Sequence, residues 1–485
     1  MITITKHLLL IGDCTKAKQI LEYPAFDLLV TSPPYFNAPF DYRELFQNYE
    51  TFLEMIARFG ELSFEALTIG GIVGLNIDDM LVKGIKYPII SDIIKIFSSI
   101  GYKLKGRIVW RKPEGYIRIS RRSGVLLQNP YPMYYYPDNL IENILIFQKP
   151  LSLHLPSNKN IQIDDIWEIT NVLPLKGRLE KDVAAFPDEL PKRLIEIFSR
   201  KGSWIYDPFL GSGTTMKVAR EMKRHSIGIE IVEDLIPIIR KKSGFTSGNL
   251  TSYFNVDQLT IIHLPEVDSE EEKSNISHSL DHSLLPQALK EYNSIDNNYK
   301  HHLLLLDCRN TTRNILNTNF SETLNELFPG RILVILYDSL SDSENLLTLN
   351  HLFDYVMNHG LRLRDKITVQ HQPVGNWEVV TKFNSTVIFN HCYYEVLVFQ
   401  KGKFIYKSKT KLEKQDCMID RKQFQEEKWY LSLWDFRDQS RESCDSIVIA
   451  RLLELFLYND EVVGTNIMDI SCLKRQFTLK YVHLI

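Results

Sequence analysis

A serine followed by two prolines and a tyrosine, Ser32-Pro33-Pro34-Tyr35, closes the apolar run Phe26–Thr31. Proline fixes φ, restricts the residue before it and lacks an N–H, so this loop is stiff while its carbonyls stay free to accept. A prolyl carbonyl and the Ser32 hydroxyl can together accept both hydrogens of an exocyclic amine. That arrangement turns the nitrogen lone pair toward a methyl donor and stabilises the positive charge that develops there. Tyr35 adds an aromatic face for a base taken out of its stack. A second segment, Asp207-Pro208-Phe209-Leu210-Gly211-Ser212-Gly213-Thr214-Thr215, follows the strand-like run Ser203–Tyr206. Gly211 and Gly213 allow backbone angles and a close approach that a Cβ would block. A helix beginning near Thr214 offers free N–H groups. The next apolar run, Ser226–Ile229, ends in Glu230, an acid placed to accept ribose hydroxyls. The turn lacks the GxGxxG spacing of dinucleotide sites. Either segment alone reads as an ordinary tight turn; the two together, in this order, point to chemistry on a base.

These segments need a sheet to hold them. From Leu8 to about Ile231 short apolar runs alternate with helical spacing, which predicts an α/β sheet layered with helices. Strands are expected at Leu8–Ile11, Phe26–Thr31, Ile72–Leu75, Gly106–Trp110, Asn143–Phe147 and Ser203–Tyr206. Helices are expected over Leu45–Glu65 and Leu190–Phe198. In open α/β sheets ligands bind outside the carboxyl ends of the strands, where both segments lie.

On these residues the chain resembles the DNA amino-methyltransferases of restriction-modification systems, in the arrangement that places the catalytic loop before the cofactor turn. The resemblance covers about residues 1–255. It implies a Rossmann-like S-adenosyl-L-methionine-dependent methyltransferase fold, with Ser32, Pro33, Pro34 and Tyr35 catalytic. It implies that Asp207, Pro208, Phe209, Gly211, Ser212, Gly213, Thr214, Thr215 and Glu230 hold the cofactor. Asp13 and Phe186 are further implied cofactor contacts, although an Asp after a strand is also a common turn former. Where the family often has His four residues before this Phe, the chain has Asp182. A tetrapeptide headed by Ser is typical of cytosine N4 methylation, and one headed by Asp or Asn of adenine N6 methylation, so Ser32 favours cytosine. Attack by an amine needs no cysteine nucleophile, and none adjoins the loop. The alternatives are adenine methylation on the same scaffold and a DNA-binding subunit without turnover.

The implied partner is double-stranded DNA, with a cognate restriction endonuclease as a further candidate. Lys103, Lys105, Arg107, Arg111, Lys112, Arg118, Arg121 and Arg122 crowd residues 103–122 with Trp110 and Tyr116 among them, a basic and aromatic loop suited to phosphates and a flipped base. The aromatic stretch Asn129–Asn139 resembles the family's segment near the active site. Residues 1–250 hold 32 Lys and Arg against 28 Asp and Glu, leaving 25 against 32 for the remainder. A nucleic-acid partner therefore suits the first half better. The cysteines show no CxxC spacing, so no zinc or other metal site and no disulfide framework is signalled. No apolar run approaches the ~20 residues that span a bilayer, and a cytoplasmic protein is expected.

Residues 256–300 read as a solvated linker, with one helix expected near Leu284–Tyr292. Beyond it the second half repeats the first. His7–Cys14 matches His301–Cys308, Gly101–Lys105 matches Gly360–Arg364, and Glu142–Lys149 matches Glu395–Lys401. Trp167-Glu168 is echoed by Trp434-Asp435, and Arg193–Phe198 by Arg451–Phe456. The collinear order predicts an internal duplication: a catalytic domain over 1–255 and a degenerate copy of similar fold over 301–485. On this alignment the catalytic loop is replaced by Leu336–Leu340 and the glycine turn by Glu461–Asn466. The expected assembly is a monomer with an internal pseudo-dimer, or a homodimer.

Overall fold

The computed structural model describes residues 4–23, 25–37, 45–113, 124–150, 159–170, 186–245, 257–264, 301–309, 318–338, 343–372, 385–390, 392–402, 418–429, 431–439, 441–457, 463–465 and 482–484. In chain order the strands of the first half are β1 (Lys6–Ile11), β2 (Phe26–Thr31), β3 (Leu67–Ile77), β4 (Met80–Val82), β5 (Ile85–Tyr87), β6 (Lys103–Arg111), β7 (Ile141–Gln148), β8 (Lys159–Asp164), β9 (Ile166–Glu168), β10 (Trp204–Asp207), β11 (His225–Glu230) and β12 (Gln258–His263). Those of the second half are β13 (His301–Asp307), β14 (Leu327–Asp338), β15 (Leu361–Gln370), β16 (Ser385–Asn390), β17 (Tyr393–Lys401), β18 (Leu433–Asp435), β19 (Val463–Thr465) and β20 (Val482–Leu484). All six strands expected in the first half form, most of them longer than their apolar runs.

Contacts divide the chain into two units. The first comprises Met1–Pro113, Glu142–His278 and Asn376–Asn390; the second comprises Glu114–Ile141, Ser279–Gly375 and His391–Ile485. The expected boundaries at 255 and 301 differ from this division. Strand β12, inside the expected linker, pairs with β1 along its whole length. Segment 114–141 belongs with the second unit, and β16 pairs in parallel with β8 of the first. The helix expected near Leu284–Tyr292 lies outside the described residues.

The first unit holds a nine-stranded sheet in the order β9-β6-β7-β3-β2-β10-β11-β1-β12. Strands β3, β2, β10, β11, β1 and β12 run parallel, and β7 runs against β3. The helix Tyr49–Ala66 starts at Asn48, whose side chain accepts from the Thr51 N–H at 2.8 Å, and it buries Phe52, Ile56, Phe59 and Ser63 along one face. That i, i+4, i+7, i+11 stripe is the signature of a helix laid on a core. Helices Glu189–Phe198 and Thr214–Glu221 bring Leu190, Leu194, Ile195, Val218 and Ala219 against Leu28, Val30, Ile144 and Ile146 of the sheet.

The second unit holds a seven-stranded sheet in the order β18-β15-β17-β14-β13-β19-β20. Four pairs run in the same sense as their counterparts in the first unit: β15 and β18 parallel, β14 and β17 antiparallel, and β13 parallel to both β14 and β19. Registers agree too. Ile72 faces Gln148 and Leu28; Ile332 faces Gln400 and Leu303. Strand β13 therefore holds the place of β2, between the counterparts of β3 and β10. The sequence match of His301–Cys308 with His7–Cys14 aligned it with β1, because two leucine-rich strands look alike without their neighbours. The corrected register puts Asp307 in the place of Ser32.

Particular side chains recur within each unit. Lys149 Nζ donates to the carbonyls of Phe64, Glu65 and Leu67, and Lys401 Nζ to those of Leu324, Asn325 and Leu327. Gln148 donates to the Gly70 carbonyl and Gln400 to that of Gly330, and both glycines have φ of +79°. The guanidinium of Arg193 lies 5.5 Å from the Trp167 ring centre, and that of Arg451 lies 5.4 Å from Trp434. The core of the second unit includes Leu126, Met133 and Tyr135. Tyr135 donates to the Trp429 carbonyl, so the aromatic stretch Asn129–Asn139 owes part of its composition to a core. Among the described residues no helix is long and apolar enough to cross a membrane.

Candidate active site

Strands β1, β11, β10, β2 and β3 are parallel neighbours, so their carboxyl ends share one edge of the sheet. Asp13, Glu230, Asp207, Ser32 and Asp78 follow these ends in that order. Neighbouring strands lie ~4.8 Å apart, so two segments far apart in sequence become adjacent. One hydrogen bond ties them. The Thr31 hydroxyl donates to Asp207 Oδ1 at 2.6 Å, and the Thr215 hydroxyl to Oδ2 at 2.6 Å. Phe209 N–H also donates to Asp207, which is 1% exposed. Burial pushes the Asp207 carboxyl up to about 6, against the pull of these donors.

The glycine turn is built around Glu230. Gly211 N–H donates to Glu230 Oε2 and Val232 N–H to Oε1, each at 2.8 Å. Burial raises the Glu230 carboxyl above its ordinary value. Gly211 and Gly213 have φ of +55° and +90°, the left-handed region that favours glycine. A Cβ on Gly213 would stand 3.1 Å from Ile239 Cγ2. Lys242 Nζ donates to Ser212 Oγ and Thr214 Oγ1, both at 2.7 Å. Asp207, Ser212, Thr214 and Thr215 are thus buried and bonded within the protein; they shape the turn. Pro208 is buried behind the half-buried Phe209. Ile231 and Val232, just past Glu230, are 67% and 47% exposed. Asp13 Oδ1 accepts from Thr15 N–H at 2.9 Å, capping a short turn. Phe186 is half-buried before the helix Glu189–Phe198; Asp182 lies outside the described residues.

The catalytic loop rests on residues the sequence did not single out. Phe36 anchors its end among Tyr49, Phe52 and Tyr87. Tyr35 Oη donates to Glu142 at 2.8 Å, and Lys112 Nζ stands 2.7 Å from the same carboxylate. Asn76 Nδ2 donates to Glu142 at 2.8 Å and to Tyr35 Oη at 3.0 Å, and reaches Ser32 Oγ at 3.4 Å. Burial alone would raise Glu142, but Lys112, Asn76 and Tyr35 more than offset it and hold the carboxyl below the ordinary glutamate value. Burial and the Glu142 charge drive the Tyr35 phenol well up. Asn143 donates to Asp78 at 2.9 Å. Asn76 and Glu142 were invisible as a site because they come from two other strands, far along the chain from Ser32.

The DNA methylase family model matches residues 26–241. A Type II methyltransferase of Methanocaldococcus jannaschii, M.MjaI, is 32% identical over 297 residues, covering 52% of this chain and 96% of that one. The chain belongs to the DNA methylase family. The methyl donor of this family is S-adenosyl-L-methionine. M.MthZI of Methanothermobacter thermautotrophicus is 33% identical over 195 residues, 36% of this chain and 54% of that one. A Thermus thermophilus structure, described as a DNA modification methylase complexed with S-adenosyl-L-methionine, is 23% identical, with 54% of this chain and 100% of that one covered and a TM-score of 0.38.

The methylase does not gather its basic residues into one loop. Residues 103–111 form β6, on which Lys103 is exposed and Arg107 and Arg111 are 3% and 6% exposed. Arg111 pairs with Glu168 at 3.2 Å, and Lys112 pairs with Glu142. Lys103 and Lys105 begin a nine-residue strand whose other end carries Lys112 to the catalytic loop. At ~3.3 Å per residue they stand roughly 25 Å from it. Arg118, Arg121 and Arg122 lie outside the described residues.

Proposed function

We propose that this DNA methylase transfers a methyl group to the exocyclic N4 amine of cytosine in double-stranded DNA, at a single site in its first unit. The observation that carries the reading is the Thr31–Asp207 hydrogen bond, which sets the Ser32–Tyr35 loop beside the glycine turn. S-adenosyl-L-methionine, when bound, supplies an electrophilic methyl group. Glu230, Ile231 and the Gly211–Gly213 backbone are the groups suited to its nucleoside end. Ser32 Oγ and a prolyl carbonyl accept the amine hydrogens, and the lone pair then faces the methyl carbon. Tyr35 is half-buried, its hydroxyl held by Glu142, and its ring is the aromatic face suited to the flipped base.

The second unit is a degenerate copy of the first. The common strand order, the equal registers and the paired Lys149/Lys401 and Arg193/Arg451 arrangements support this. Candidate contacts to phosphates narrow to the Arg118, Arg121 and Arg122 stretch, since Arg107, Arg111 and Lys112 have internal surroundings or partners. The test is to incubate the protein with DNA and labelled donor, digest to nucleosides and weigh the modified base. N4-methylcytosine, lost in Ser32→Ala, is expected. N6-methyladenine would move the substrate to the other amine, and DNA binding without label transfer would make the chain a non-catalytic subunit.

A further inference from the structure

We propose that Glu142, paired with Lys112, is a positioning residue that sets the direction of every hydrogen bond in the catalytic loop and so makes Ser32 an acceptor. This rests on the amine-methylation reading above. A carboxylate can only accept. Against an ionised Glu142, both Tyr35 O–H and Asn76 N–H must donate. With its hydrogen committed, the Tyr35 oxygen is left to accept: it takes an Asn76 hydrogen at 3.0 Å and keeps a second lone pair for the Ser32 hydroxyl hydrogen. Asn76 N–H points at Ser32 as well. The Ser32 oxygen then shows a lone pair, rather than a hydrogen, to an amine that itself carries only donors on that side. Without charge at Glu142 the chain can reverse: Tyr35 can accept, the Ser32 hydrogen is released, and donor meets donor at the amine.

The surroundings favour the charged form. Lys112 reaches Glu142 from the end of β6, Asn76 from β3 and Tyr35 from the loop; Asp78 adds negative charge near Tyr35 and is bonded to Asn143 of Glu142's own strand. The net effect holds Glu142 ionised across the neutral range.

The second unit supplies a control inside the molecule. The shared registers place Leu336 where Asn76 stands, Tyr394 where Glu142 stands and His371 where Lys112 stands. The Lys112–Glu142 pair thus becomes a His371–Tyr394 stack at 5.9 Å. Lys149 and Arg193, which only hold the fold, keep their counterparts. Asn76, Glu142 and Lys112 were lost together with the loop, as expected of residues that serve it.

The experiment is single-turnover methyl transfer with saturating DNA and labelled donor, alongside DNA dissociation constants, for the native protein, Glu142→Gln, Tyr35→Phe and Lys112→Met. Glu142→Gln and Tyr35→Phe are each expected to slow transfer about a hundredfold, the scale of one misdirected transition-state hydrogen bond, while DNA affinity changes little. Lys112→Met should transfer normally at alkaline pH and lose activity as the pH falls, at a higher pH than the native protein does, because Glu142 loses the charge that keeps it ionised. Near-native transfer by both Glu142→Gln and Tyr35→Phe, or a native pH profile in Lys112→Met, overturns the proposal while leaving amine methylation intact. A native protein that transfers no label overturns both.

Discussion

The two units share a frame and differ at one edge of it. In the first, the end of β2 leads into a partly buried serine and tyrosine that are bonded to Asn76 and Glu142. In the second, the same strand end leads into Asp307, whose carboxylate is gripped by Arg309 through two bonds of 2.6 and 2.9 Å. Arg309 also donates to Asp445 at 2.8 Å and lies 4.6 Å from the centre of the Tyr394 ring, at the position of Glu142. A bidentate ion pair of this kind is satisfied internally. It fills the place that Ser32 holds in the first unit. The difference teaches which residues belong to the scaffold and which to the chemistry, and it can be pushed from both sides.

The largest effect is expected from cutting the units apart. Segment 114–141 belongs with the second unit and gives its core Leu126, Met133 and Tyr135. A chain ending at residue 255 is expected to lose its cooperative thermal transition and its site-specific methylation. A fragment that melts cooperatively and methylates its site would show that the second unit is dispensable. Next, Arg309→Leu removes the ion pairs to Asp307 and Asp445 and should destabilise the second unit by about 3 kcal/mol, read by denaturant titration, while donor binding is unchanged. An unaltered midpoint would mean that the ion pair is ornamental.

Smaller still, Lys149→Met and Lys401→Met each remove a donor from three carbonyls and should cost similar amounts, about 1–2 kcal/mol. Hydrogen exchange of each unit checks this, and unequal losses would weaken the claim of common architecture. A further effect concerns pH. The Asp207 carboxyl, at about 6 in the folded protein, lies above its unfolded value of about 3.9. The stability it contributes is therefore fully present below about pH 4 and is lost as the pH rises through about 6. Asp207→Asn should flatten that slope in melting temperature, and an unchanged slope would place its origin elsewhere.

Much of the first sheet was legible because its strands are apolar runs closed by Pro or Gly, and periodicity alone marks them. The Ser32–Tyr35 loop and the glycine turn stood out as strand-end turns for the same reason. Asn76 and Glu142 were not, because register, rather than spacing, brings them to Ser32. The basic residues of β6 read as a loop in sequence, whereas they lie on a strand whose residues 106–111 are buried on both faces, with Lys103 and Lys105 at its far end. The leucine run of β13 was aligned with β1 because the neighbours that define a strand's place are not written in the strand. Of the five collinear matches between the two halves, the registers and side-chain pairs keep four in the same order.

The central claim is that a scaffold present twice holds one working site. Calorimetric titration of the full chain with S-adenosyl-L-methionine tests it most directly. The account predicts one molecule bound per 485-residue chain, with binding abolished in Glu230→Ala and unaffected in Arg309→Leu. Two molecules per chain, or binding that survives Glu230→Ala, would contradict it.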